Sequence, residues 1–201
     1  MTPYEDPLDL ILSSEVEATV RLILDTWKPT PGKRTLLVLP CSAKKPYRTS
    51  PSQRRYLHAV YAVEGAKEAV EVVTLSGVFG IVPRQFEDLP AVLSYNLSLN
   101  RSKHTRGKHR EIIEVSSTRV RNFLRKYGAY YSCILFFGRD RYATVMNNAV
   151  SETLLDGVQV RVIGSRDIRL KSEGLEQLKS ALDDALVGLC WAEHAEPLVL
   201  N

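Results

Sequence analysis

The sequence has few cysteines and nothing that pairs them. Three of its 201 residues are cysteine, Cys41, Cys133 and Cys190, and no two of them form a CxxC pair. The odd number and the wide spacing argue against both a disulfide framework and a structural zinc site. We therefore expect reduced thiols in a cytoplasmic protein, with no metal and no cofactor.

Long apolar runs and a secretory signal are also lacking. The longest apolar runs, residues 36–39 and 134–137, have the length of strands, whereas a membrane helix needs about 20 apolar residues. The N-terminal segment MTPYEDPLDL is acidic and has no cationic start followed by an apolar stretch. We expect no membrane contact. With 44% hydrophobic and 25% charged residues, the composition is that of a globular chain, and its length favours one domain.

Two stretches lack acidic residues altogether. Residues 33–55 contain seven lysines and arginines and no acid, and residues 101–110 contain five together with His104 and His109. The acids lie toward both ends of the chain, and the net charge is +4. A basic centre between acidic termini fits a polyanion such as nucleic acid, and it also fits a solvated loop that maintains solubility.

Hydrophobic spacing predicts alternating helices and strands. We predict helices at 13–27, 52–69, 111–127, 142–154 and 174–189, and strands at 35–39, 70–75, 131–137 and 158–163. Loops are predicted at 76–90 and 100–110, and Ser13 or Ser14 and Ser52 are candidate helix caps. The alternation favours an α/β fold, a three-layer sandwich with a mostly parallel central sheet. We divide the chain into an N-terminal helical extension (1–32), a single α/β domain (33–190) and a C-terminal tail (191–201).

Ligands of such sheets bind beyond the carboxyl ends of the strands, which points to residues 40–52, 76–90 and 138–141. The first of these belongs to the segment PCSAKKPYRTSPSQRRY at 40–56, which offers a thiol, four serine and threonine hydroxyls, two lysines and Tyr47. Its three prolines preset the backbone, as in a rigid binding loop. The lysines beside Cys41 favour a thiolate and hence a nucleophile. The alternative for Cys41 is a small buried residue at the end of a strand.

The same segment resembles the signature of archaeosine synthase, an archaeal tRNA-modifying family related to tRNA-guanine transglycosylases. That signature reads P-C-S, two residues, K-P-Y, two residues, S, one residue, S-H. The matching residues here are Pro40-Cys41-Ser42, Lys45-Pro46-Tyr47, Ser50 and Ser52, followed by Gln53 in place of His. A second block, S-P-L-G-x-V-P-R-E-L-E and then a Pro and a Tyr-Asp, matches at Ser76, Gly80, Val82-Pro83-Arg84, Glu87, Pro90 and Tyr95. The resemblance covers residues 36–163.

The resemblance implies a transferase that adds an amine, from lysine or an amino-group donor such as glutamine, to the nitrile of 7-cyano-7-deazaguanine in tRNA. It also implies a uracil-DNA-glycosylase-like general architecture. Cys41 would attack or contact the nitrile, while Lys45 and Tyr47 would supply protons or hydrogen bonds. The residues expected to bind substrate are Ser42, Lys44, Ser50, Ser52, Gln53, Arg84 and Glu87. Those expected to contact the tRNA backbone are Arg101, Lys103, Arg106, Lys108 and Arg110.

The departures from the signature keep a second class of function open. Gln53, Gln85 and Asn96 each replace a titratable residue by one that only forms hydrogen bonds, which weakens the case for acid–base catalysis. The 201 residues contain neither a PUA domain nor a transglycosylase-like domain, so a partner subunit carrying one is expected. The alternative is a non-catalytic RNA-binding or accessory subunit. Arg139 and Arg141 face substrate or form surface salt bridges, and His104 and His109 belong to a polar loop.

Overall fold

The computed structural model describes residues 6–95, 97–163 and 172–193, without the side chains of Ser102, Ser172 and residues 189–193. The departure from the signature at Asn96 and most of the expected C-terminal tail lie outside these residues.

A five-stranded sheet forms the centre of the protein. Its strands are β1 (Thr35–Pro40), β2 (Val70–Ser76), β3 (Gly80–Pro83), β4 (Cys133–Phe137) and β5 (Gln159–Ile163), in the order β3-β2-β1-β4-β5. β1 is parallel to β2 and β4, β4 is parallel to β5, and β3 runs antiparallel to β2. The mostly parallel sheet predicted from the sequence is confirmed.

Helices cover both faces of this sheet. They are α1 (Pro7–Ile11), α2 (Ser14–Thr26), α3 (Pro51–Tyr61), α4 (Ala66–Ala69), α5 (Pro90–Ser94), α6 (Ser102–Thr105), α7 (His109–Tyr127), α8 (Asp140–Ser151) and α9 (Ser172–Glu193). Because side chains alternate along a strand, Leu36 and Val38 of β1 pack with α2, α7 and α8, whereas Leu37 and Leu39 pack with α3 and α9. The α/β fold with two covered faces is thereby confirmed, while the uracil-DNA-glycosylase-like arrangement stays a prediction.

The predicted loop at 76–90 is wrong in part, because it contains β3. The Ser76 hydroxyl accepts hydrogen bonds from the backbone amides of Val78 and Phe79 at 3.2 and 3.3 Å. This turn reverses the chain and pairs β3 with β2. A Cβ at Gly80, whose φ is +73°, would lie 2.7 Å from the Cβ of Arg119, so glycine is required there. β3 is only four residues long, from Gly80 to Pro83, and so short a strand was predicted as part of a loop.

Three further boundaries differ from the predictions. Residues 102–105 of the predicted basic loop form α6, and α7 begins at His109. The predicted helix at 52–69 is two helices, α3 and α4, which are separated at Gly65 with φ +73°. The hydroxyl of Ser50, not that of Ser52, caps α3 by accepting from the amide of Gln53 at 3.2 Å.

The first helices pack against the same core as α7. Ser13 caps α2 as predicted, and the ring of Trp27 stacks on Phe123 with centroids 4.9 Å apart. The buried guanidinium of Arg119 donates to the carbonyl of Ile11 and to the carboxylate of Glu17. The division of the chain at residue 32 stays a prediction. Among the described helices, none combines the length and the apolar character needed to cross a membrane.

Candidate functional site

A cavity of about 300 Å³ lies at the carboxyl ends of β1 and β4. Residues 40–43 and 138–139, which follow these two strands, form part of its wall. The remaining lining residues are Ser52 and Tyr56 of α3, Leu97, Ser98, Asn100, Arg101 and His104, and Tyr142 of α8. Two of the three predicted loops, those after β1 and β4, therefore converge at this cavity, whereas residues 76–90 are not among its lining residues.

Cys41 lies in this cavity beside a tyrosine from a distant part of the chain. Its sulfur is 3.0 Å from the hydroxyl oxygen of Tyr142, and its amide donates to the carbonyl of Leu75 at 3.0 Å. Burial raises the pKa of Tyr142 well above its ordinary value, and the neighbouring Cys41 raises it further. Tyr142 is thus a neutral phenol that can donate a hydrogen bond to sulfur or pass on a proton. Tyr142 was not predicted from the sequence, and the available signal was its position directly after the predicted loop at 138–141.

Lys45 lies away from the cavity wall, and its ammonium group is fully engaged. Nζ donates to the hydroxyl of Tyr47 at 2.8 Å and to the carbonyls of Val92 and Tyr95 at 2.8 and 3.0 Å. An ammonium has three donors, so all of them are used. Burial lowers the pKa of Lys45 to about 8, and the nearby Cys41 and Glu87 side chains oppose that decrease.

Tyr47 continues this network into the hairpin between β2 and β3. Its side chain is fully buried, and its hydroxyl donates to the hydroxyl of Ser76 at 3.2 Å. Burial raises the pKa of Tyr47 well above its ordinary value. Lys45 and Tyr47 therefore connect the loop after β1 to α5 and to the Ser76 turn, whereas Cys41 faces the cavity.

Glu87 anchors a second network behind the cavity. Its buried carboxylate accepts from the amide of Arg48 at 2.8 Å and from the guanidinium of Arg84 at 2.7 Å. Arg84 also donates to the side-chain oxygen of Gln53 at 3.0 Å, and the Gln53 amide nitrogen donates to the carbonyl of Pro40 at 2.7 Å. The two blocks of the signature thus meet through these side chains, and the chain of contacts ends at the residue before Cys41.

The other predicted substrate-binding residues are divided between the wall and its support. Ser42 and Ser52 line the cavity, Lys44 is exposed, and Ser50 is buried as the cap of α3. Gln53, also predicted to bind substrate, is not among the lining residues, and both polar ends of its side chain are hydrogen-bonded to other residues of the protein.

The predicted nucleic-acid-binding residues lie at one side of the cavity mouth. Arg101 is exposed and lines the cavity, and Lys103, Arg106, Lys108 and Arg110 are exposed on α6, on the following turn and at the start of α7. His104 accepts at Nδ1 from the amide of Ser98 at 3.1 Å. Partial burial lowers its pKa, with Arg101 and Lys103 adding to the effect, so His104 is neutral at neutral pH.

The arginines after β4 have different roles. Arg139 lines the cavity, and its Nε lies 3.5 Å from the carboxylate of Asp140. Arg141 donates to the carbonyl of Leu99 at 2.7 Å and therefore holds the opposite wall in place. Within the described ranges, no three His, Cys, Asp or Glu side chains come close enough together to hold a metal ion.

Comparisons with known proteins identify the family of this chain. The model of the family described as "Domain of unknown function (DUF5591)" matches residues 16–182. Archaeosine synthase of Methanocaldococcus jannaschii is 34% identical over 103 residues, which is 51% of this chain and 16% of that protein. Archaeosine synthase subunit alpha of Thermococcus kodakarensis is 38% identical over 74 residues, 36% of this chain and 13% of that one. The matches thus span less than a fifth of these relatives' own length.

One solved structure has a similar fold. The crystal structure of AF0587, a protein of unknown function, has a TM-score of 0.58 and 24% sequence identity, and the similarity covers 82% of this chain and 49% of that one. At that identity the likeness supports the fold alone. The family model, by contrast, covers most of the chain, and the relatives match it in sequence. The chain therefore belongs to the DUF5591 family and is a domain related to archaeosine synthase.

Proposed function

We propose that the protein modifies tRNA by adding an amine to the nitrile of 7-cyano-7-deazaguanine, as in the formation of archaeosine. The observation that carries the proposal is the position of Cys41 in the cavity, 3.0 Å from the neutral hydroxyl of Tyr142. A nitrile carbon is a weak electrophile that needs a good nucleophile and a proton for its nitrogen. The thiol and the phenol supply these two requirements side by side.

The reaction has two balanced steps. The Cys41 sulfur bonds to the nitrile carbon, one C–N π bond breaks, and the thiol proton reaches the nitrile nitrogen through the Tyr142 hydroxyl, which gives a thioimide. The amine of lysine, or ammonia released when water cleaves the amide of an amino-group donor such as glutamine, then bonds to the same carbon. The C–S bond breaks, the sulfur takes up a proton released by the amine, and an amidine remains. Neither step transfers electrons to another molecule.

The remaining predicted site residues take positioning and binding roles. Because their polar groups are engaged with the protein, Lys45, Tyr47 and Gln53 hold the loop that presents Cys41. Arg84, Glu87 and Ser50 support the same loop, while Ser42 and Ser52 contact substrate at the wall and Lys44 lies outside it. The five exposed basic residues of 101–110 contact the tRNA backbone, and a transglycosylase-like or PUA-containing subunit is the expected partner.

The second candidate function is an accessory RNA-binding subunit without catalysis. It is favoured by Gln53, which stands where the signature has a histidine and which binds the Pro40 carbonyl instead of facing the cavity. Under this proposal the basic residues would still bind tRNA, but Cys41 would form no bond with the nitrile.

Intact-protein mass spectrometry separates the two functions. The protein is incubated with free 7-cyano-7-deazaguanine without an amine, and with tRNA carrying that base in the presence of lysine or glutamine. We expect a covalent adduct on the protein and an amidine nucleoside in the tRNA digest, both lost in Cys41→Ser and kept in the control Cys133→Ala, whose sulfur is buried in the core. Full activity of Cys41→Ser would contradict the covalent step, and tRNA binding without adduct or product would favour the accessory subunit.

A further inference from the structure

A second hollow lies between α3 and α9, on the side of the sheet away from α7. Its volume is about 430 Å³, and we call it the α3–α9 groove. Arg54, Arg55 and His58 project into it from α3, and Lys179 from α9, over a floor that includes Ala59 and Leu175. None of these residues belongs to the basic stretch at 101–110 to which the nucleic-acid contact was assigned.

The charge of the α3–α9 groove is largely uncompensated. Arg54, Arg55 and His58 are exposed, and in the described part of the chain their side chains form no hydrogen bond or ion pair. The acid in the groove, Glu176, is paired with Lys179 at 2.8 Å, and the sequence of α3 contains no Asp or Glu. Two free guanidinium groups therefore remain, and a guanidinium binds the oxygens of a phosphate through two parallel hydrogen bonds.

The groove opens directly beside the cavity, because both use α3. Ser52 and Tyr56 line the cavity, while Arg55 and His58 lie on the neighbouring face of the same helix. Ser52 and His58 are six positions apart, which corresponds to a rise of about 9 Å along an α-helix.

Tyr56 gives a second link between the two hollows. Burial raises its pKa, and the guanidinium groups of Arg55 and Arg139 oppose that rise. Tyr56 lines the cavity, and Arg55, the residue before it in the helix, lines the groove. Arg139 is itself part of the cavity wall.

The two basic surfaces flank the cavity on opposite sides. α3 and α9 cover one face of the sheet, and α7, which follows the basic stretch at 101–110, covers the other. A nucleotide seated in the cavity continues its strand in two directions. In one direction the strand can pass the basic residues beside Arg101, and in the other it leads toward the α3–α9 groove.

We propose that the α3–α9 groove binds backbone phosphates of the tRNA strand on one side of the nucleotide held in the cavity, with Arg54 and Arg55 as the principal contacts. This rests on the proposed function, since it takes tRNA as the ligand. Phosphate contacts of this kind position a nucleic acid without reading its sequence. The groove thus completes a track that passes the cavity mouth and joins the two faces of the protein.

The test compares two double variants with the same loss of charge. R54Q/R55Q removes the groove arginines, and K28Q/K67Q removes two exposed lysines that lie near the amino ends of the strands. Binding of fluorescently labelled tRNA is followed by anisotropy at several salt concentrations. We expect the slope of log K against log salt to become shallower by about 1 for each groove arginine removed, and to stay close to wild type in K28Q/K67Q.

The outcomes separate this proposal from the proposed function. If R54Q/R55Q binds tRNA with the wild-type slope and affinity, or if both double variants change alike, the groove proposal is overturned even when the wild type modifies tRNA. Absence of tRNA binding by the wild type overturns it as well. If the wild type forms no amidine but R54Q/R55Q alone flattens the salt slope, the proposed function fails and the groove stands. Thermal melting of all variants verifies that they are folded.

Discussion

The sulfur of Cys41 and the hydroxyl of Tyr142 lie 3.0 Å apart, although 101 residues separate them in the chain. β1 delivers the cysteine and α8 delivers the tyrosine, and the two meet where the carboxyl ends of β1 and β4 adjoin. Burial keeps the tyrosine protonated, so the pair holds a nucleophile and a proton carrier in contact before any substrate arrives.

The first prediction concerns this pair. Tyr142→Phe removes the hydroxyl and keeps the ring, so the fold should remain while adduct formation at Cys41 slows by about 100-fold, the lower range of general acid–base effects. The rate is measured by intact-protein mass spectrometry with free 7-cyano-7-deazaguanine. Tyr61→Phe, at an exposed tyrosine of α3, should react at the wild-type rate. An unchanged rate in Tyr142→Phe would show that the hydroxyl carries no proton for the reaction.

The position of the cavity can be predicted from the sequence more directly than the side chains that lie in it. The apolar runs TLLVL and CILFF predict two buried strands, and the carboxyl-end rule then places a ligand site after each of them. Tyr142 could not be assigned by that rule, since its contact with Cys41 depends on how α8 packs. Lys45 was expected in the site because it belongs to the K-P-Y part of the signature. It is directed elsewhere by the carbonyls of Val92 and Tyr95, 47 and 50 residues away along the chain.

The second prediction is a pH-dependent stability that comes from Lys45. Its pKa is lowered from 10.5 to about 8 in the folded chain. Between these values the unfolded chain binds a proton that the folded chain does not, so the free energy of unfolding rises with pH across this interval. The difference between 10.5 and about 8 corresponds to about 3 kcal/mol in the free energy of unfolding. This contribution is fully present above pH 10.5 and is lost as the pH falls to 8.

Lys45→Met isolates this contribution. The variant leaves the carbonyls of Val92 and Tyr95 without their donor, which should cost about 1–3 kcal/mol at pH 7. The difference in the free energy of unfolding between wild type and this variant should then grow from pH 8 to 10.5, as measured by urea unfolding at each pH. The neighbouring exposed lysine provides the control Lys44→Met, which should follow the wild-type curve. A deficit of constant size would contradict the lowered pKa.

The third prediction compares two adjacent carboxylates with different burial. Glu87 is fully buried and bound by Arg84, whereas Asp88 is exposed and pairs with Arg48. Glu87→Gln removes the charge that compensates a partly buried guanidinium and should lower the free energy of unfolding by about 3 kcal/mol. Asp88→Asn should lower it by less than about 1 kcal/mol, as for other surface ion pairs. Equal losses in the two variants would mean that the Glu87 network does not support the loop.

The fourth prediction addresses Gln53, the departure from the signature that binds the residue before Cys41. Its side chain accepts from Arg84 at one end and donates to the Pro40 carbonyl at the other, at 3.0 and 2.7 Å. A neutral histidine also has one donor and one acceptor nitrogen, and an arginine that donates to it favours the neutral form. Gln and His can therefore make the same bridge.

Gln53→His should keep the melting temperature and the rate of adduct formation at Cys41, whereas Gln53→Leu should lower both, because it leaves the Pro40 carbonyl and one Arg84 donor unpaired. A large gain in rate in Gln53→His, with a bell-shaped pH profile absent from the wild type, would instead identify a lost acid–base group and favour the accessory subunit as the role of this chain.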